Sequence, residues 1–138
     1  MVDDATAAYI VENQRSFEDL KQVAAQLAGW LVLAAAGSKE AVPDHPALAS
    51  ARAMFRELDD SVQRARPTES ARRHYAHITA ASQWIALALN ATEHAGEIDP
   101  ILVPLRAGYA ELERAAESLP GFNKISYERA CCGFGRIQ

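Results

Sequence analysis

The chain has 138 residues, enough for one domain whose core needs no disulfide or metal to hold it. Hydrophobic residues make up 49% and charged residues 23%, an ordinary globular balance. The formal charge of −4 argues against a general nucleic-acid binder, because affinity there comes mostly from neutralising phosphates.

The opening Met1-Val2-Asp3-Asp4 is acidic where an export signal is basic, and no apolar region follows it. The expected compartment is therefore the cytoplasm, where thiols stay reduced. In the first element, Ile10, Phe17, Leu20, Ala24, Leu27, Leu31 and Ala34 recur at steps of three and four, with Asn13 the polar interruption. Tyr9, Val23 and Trp30 widen this stripe to the face of a bundle helix. The apolar run from Ala24 to Gly37 is too short to cross a bilayer, which takes about 20 apolar residues. It is apolar round much of its circumference near Trp30 to Ala36, which predicts a homodimer or higher oligomer through this helix.

Pro43 and Pro46 make residues 38–46 a loop. The second stripe is Leu48, Ala51, Phe55, Leu58, Val62 and Ala65, closed by Pro67. Thr68 is the expected N-cap of a third helix that carries Ala71, Tyr75, Ile78, Ala81, Trp84, Ile85 and Leu89 and stops at about Gly96. Asp99-Pro100 reads as a cap and first turn, but Pro104 predicts regular helix only from about Val103. The fourth stripe is Leu105, Tyr109, Leu112, Ala116 and Leu119, ended by Pro120-Gly121.

Four amphipathic helices with short connections predict an all-α, up-and-down four-helix bundle over residues 1–120. Residues 121–138 show no helical stripe and form a C-terminal tail, which Phe122, Ile125 and Tyr127 are placed to anchor.

That tail holds the chain's two cysteines, Cys131 and Cys132, followed by Gly133 and Gly135. Adjacent thiols do not readily close a disulfide on each other, because the small ring strains the peptide between them. Both can bind one soft or borderline ion such as Cu(I), Zn(II), Hg(II) or an arsenical, or engage a thiol partner. Arg129 and Arg136 favour the thiolate. The plain alternative is a pair of small apolar side chains packed on the bundle.

Cys131-Cys132-Gly133 resembles the C-terminal tail of mercuric reductases, where a cysteine pair handles mercury ions. The glycine-rich dinucleotide loop of that flavoenzyme has no counterpart here. Ala130 to Gly135 is similar to a segment of plant GDSL-type esterases, whose Gly-Asp-Ser-Leu block is also missing. Neither resemblance assigns a family.

His74 and His77 stand three apart, and the expectation is a shared polar face near Arg64, Arg66, Arg72 and Arg73. Di-iron bundles need Glu-x-x-His pairs, and no acid precedes a histidine by three in this chain. Ala76 to Ser82 resembles histidine phosphotransfer domains, which implies His77 as an exposed phosphoryl acceptor. The lysine and glycine of that motif are Ala80 and Ala81 here. There is no Gly-x-Ser-x-Gly, P-loop or His-Glu-x-x-His. Asp3-Asp4, Asp59-Asp60, Glu111 and Glu113 read as solvated acids, and the tyrosines and tryptophans of the stripes as core.

The function expected is that of a binding or accessory protein rather than an enzyme. Cys131 and Cys132 are its candidate site for a soft metal ion or thiol partner, with no nucleic acid or membrane partner. The alternative is a structural or interaction homo-oligomer with incidental cysteines, and a less favoured one is phosphotransfer through His77.

Overall fold

A computed structural model of the chain describes residues 2–94 and 97–122. Four helices form: α1 (Asp4–Ala35), α2 (Pro46–Arg64), α3 (Arg72–Ala91) and α4 (Asp99–Ser118). Successive helices run antiparallel, giving the all-α up-and-down bundle that the four stripes require, and no strand occurs among the described residues. Helix α1 has 32 residues and spans about 48 Å, half as long again as its partners. Its first turns therefore extend past α2, and the 65–71 connection covers them through a 2.7 Å hydrogen bond between the hydroxyls of Thr6 and Thr68.

The helix ends follow local chemistry. The Asp3 carboxylate accepts from the Thr6 N–H at 2.7 Å, an N-cap for α1, and the chain leaves α1 through Gly37 at φ 74°, where a side chain would be strained. At α2, His45 Nδ1 accepts from the Ala47 N–H and Pro46 takes the first position, where a missing N–H costs nothing.

Helix α3 starts later than Thr68. The Thr68 hydroxyl accepts from the Ala71 N–H at 3.3 Å, so it caps a turn ahead of the helix, and α3 ends at Ala91, short of Gly96. Helix α4 starts earlier than Val103. It runs from Asp99 through Pro104, and Ile98 occupies the cap position. Pro104 lies near the amino end, so its missing N–H removes a single intrahelical bond, and its buried ring fills core space.

The stripes supply the core. Phe17, Leu20, Leu27, Leu48, Ile85 and Leu112 are among its largest sealed side chains. Two stripe residues lie further out than expected: Phe55 is half-buried, and Trp84 is 39% exposed. Trp84 sits at the edge of the buried arc of α3, where a large side chain lies along the surface, whereas Phe55 lies within the stripe of α2 and is only partly covered.

Helices α3 and α4 are the most closely packed pair, and Gly108 of α4 lies directly against Ile85 and Trp84 of α3. A Cβ added at Gly108 would stand 2.8 Å from Ile85 Cγ1. On α1, Trp30 and Leu31 are buried within the bundle, Val32 is 68% exposed, and Gly29 has open space beside it.

Candidate functional site

The bundle has two ends. At one lie the start of α1, the 65–71 connection, the start of α3 and the end of α4. The polar and aromatic groups there form a layered arrangement around two histidines of α3.

His74 is the inner one. It is fully buried, against the expectation of an exposed polar face. A helix turn is 3.6 residues, so His77 lies some 60° round from His74, enough to place one ring inside the bundle and the other at its edge. Tyr9 Oη lies 2.9 Å from His74 Nδ1. Burial raises the Tyr9 hydroxyl well above the usual range, so it keeps its proton and donates to the imidazole. The His74 Nε2 is then a buried group with no partner among the described residues. Phe122 stacks on the ring at 3.9 Å between centroids, and Phe17 meets Phe122 edge-on at 5.2 Å. Burial, with a smaller contribution from His77, lowers the His74 pKa to about 4.

Phe122 therefore anchors the chain beyond α4, as its place in the sequence suggested. Gln14 Nε2 donates to the Gly121 carbonyl at 2.9 Å, and Gly121 has φ 94° with Ile10 against it, so this exit path needs glycine. Ile125, Tyr127 and the candidate metal ligands Cys131 and Cys132 lie outside the described residues.

His77 is the outer histidine. Its Nδ1 is 2.6 Å from Glu111 Oε2, and Arg114 donates to the other carboxylate oxygen at 2.7 Å. The His77 side chain is 25% exposed and that of Glu111 16%. A carboxylate accepts only, so it is the Nδ1–H of His77 that donates in this contact.

Glu111 is thus an orienting group, not a solvated acid. The antiparallel α3–α4 register carried the signal for it, since two helices of 20 residues joined by a short connection set the sixth residue of one near the end of the other. Reading each helix alone missed it.

The other two histidines lie towards the opposite end. His45 caps α2, and His94 is exposed after α3. His94 lines a cleft of about 180 Å³ together with Trp30, Ala34, Thr92, Ile98 and Ile101 among others. Its best-placed polar groups serve the fold: Trp30 Nε1 donates to Val42 O at 3.0 Å, and Arg52 donates to Thr92 Oγ1 at 2.6 Å. No group of three or more metal-ligating side chains occurs among the described residues. No helix among them is long and apolar enough to cross a membrane.

Comparison with known proteins finds no match to any family model, curated protein or solved structure.

Proposed function

We propose that the chain is a small cytoplasmic binding or accessory protein in which the bundle is a frame and Cys131 with Cys132 engages a soft metal ion. The observation that supports this most is the seating of Phe122 under His74, which tethers the following segment to one end of the bundle. Cys131 follows that anchor by nine residues of sequence. Adjacent thiols form a chelate with only a short loop to close, and thiolate sulfur prefers soft ions.

The test is reaction with a trivalent phenylarsenical, read as the intact mass of the reduced full chain. The wild type is expected to take up one bridging arsenical at a concentration where Cys131→Ser and Cys132→Ser retain none after dilution. Equal retention by all three contradicts chelation. Capture by mixed disulfide, with no arsenical or metal uptake, would point to a thiol partner instead.

The open surface of α1 favours a second reading. Ala25, Gly29 and Val32 share an exposed stripe with no neighbour over Gly29, a surface on which a second copy could pack. Here the bundle itself associates and the cysteines are incidental. Sedimentation decides it: a dimer broken by Val32→Lys supports this reading, and a monomer at micromolar concentration removes it.

A further inference from the structure

We propose that the cleft beside Trp30 binds a small primary amine carried on one apolar ring, with Glu97 pairing with the ammonium group. The site belongs to the bundle itself and does not depend on the cysteine pair.

The cleft lies where three helices end. Ala34 is in the last turn of α1, Thr92 follows α3, and Ile98 and Ile101 stand at the start of α4. Its volume is about 180 Å³. An apolar cavity of about 150 Å³ accepts a benzene molecule. One ring therefore fits, with a short arm directed to the open side.

The walls suit a ring. Ala34, Ala41, Pro43, Ile98 and Ile101 present carbon. Trp30 also offers carbon alone, because its Nε1–H is already bonded to the Val42 carbonyl at 3.0 Å. The Thr92 hydroxyl is engaged twice: it donates to the Leu89 carbonyl and accepts from Arg52, both at 2.6 Å. A ring placed here removes apolar surface from water on both sides and leaves few polar groups to satisfy.

A polar head must sit at the mouth, where His94 and Glu97 are exposed. Its sign follows from the charges around it. Apart from His94, Glu97 is the one ionisable side chain in the lining among the described residues. Helices α1 and α3 finish here with no basic residue in the last turn, so no side chain on them offsets the partial negative charge of their carbonyl ends. The amino end of α4 has the opposite sign, but Asp99 in its first turn offsets it. Arg52 stands behind the wall, with its guanidinium engaged by the Pro43 carbonyl at 2.9 Å and by Thr92. A cation is therefore the head group that the mouth lacks. An ammonium supplies three donors, and a carboxylate accepts them.

The experiment titrates 2-phenylethylamine into the reduced full chain and follows the Trp30 indole N–H and the Ile98 and Ile101 methyl resonances. 2-Phenylethanol and 3-phenylpropanoate present a comparable ring with a neutral and an anionic head. The amine is expected to give saturable shifts at those three residues and none at the Trp84 indole, with a dissociation constant of about 1 mM or below. The alcohol should bind about 3-fold more weakly, the scale of an exposed ion pair, and the carboxylate more weakly still. Glu97→Gln should lose the same factor of about 3 for the amine and nothing for the alcohol, so that the two losses do not add. Ala34→Leu fills the cleft from a helical position and should abolish the shifts, with thermal melts showing that the variant folds.

No saturable shift with any of the three probes overturns the site, as do shifts that persist in a folded Ala34→Leu. Binding of the alcohol or the carboxylate as tight as that of the amine, or an amine affinity unchanged by Glu97→Gln, overturns the assignment of an ammonium ligand.

Discussion

At the scale of single residues, His74 carries the sharpest consequence. The folded protein holds its ring neutral with a pKa of about 4, while the unfolded chain protonates it near the ordinary 6.5. Between those values the unfolded state binds more protons, so stability falls as pH drops through the window and levels off below about 4. The full loss is on the order of 3 kcal/mol. Urea unfolding at a series of pH values checks this, and His74→Phe should flatten that part of the curve. A slope unchanged in His74→Phe would mean that other groups set it. Core truncations should divide by burial: Leu112→Ala is expected to cost about 2–5 kcal/mol. Phe55→Ala should cost less than truncation of a sealed phenylalanine would, because its ring is only partly buried against the core.

At the scale of helices, two glycines in similar sequence settings should respond in opposite directions. Gly29 on α1 has nothing within reach of an added methyl, so Gly29→Ala should stabilise by about 0.5–1 kcal/mol through helix propensity. Gly108 on α4 faces Ile85 at 2.8 Å, so Gly108→Ala gains the same propensity but forces α3 and α4 apart. The net effect is expected to be destabilising, since overpacking costs about 1–3 kcal/mol. Thermal melts of the two variants check the pair, and a rise in melting temperature for both would mean that Ile85 relaxes freely.

The same scale shows what was legible in the sequence. The apolar periodicity of Phe17 to Leu31 or Leu105 to Leu119 requires a buried face, and so the helices and their packing followed from it. Boundaries were harder, because Thr68 bonds to Ala71 equally well in a turn, and Pro104 is tolerated where only one hydrogen bond is lost. The relation of His77 to Glu111 was hidden because it depends on the register between two helices, which neither helix encodes alone.

At the scale of the whole molecule, Phe122 is the last described residue and packs on His74 and Phe17. Deleting residues 129–138 should leave the thermal midpoint nearly unchanged, because the core described here closes without them. Phe122→Ala should cost about 3–5 kcal/mol, since that ring covers His74 and Phe17. A large loss of stability on deletion of 129–138 would instead make that segment part of the core. The most direct test of the proposed function is the metal content of protein purified under reducing conditions, measured for the full chain and for the 129–138 deletion. The full chain is predicted to carry a stoichiometric soft or borderline metal and the deletion none, at equal thermal stability. Equal metal in both, or none in either, would contradict a metal site at Cys131 and Cys132.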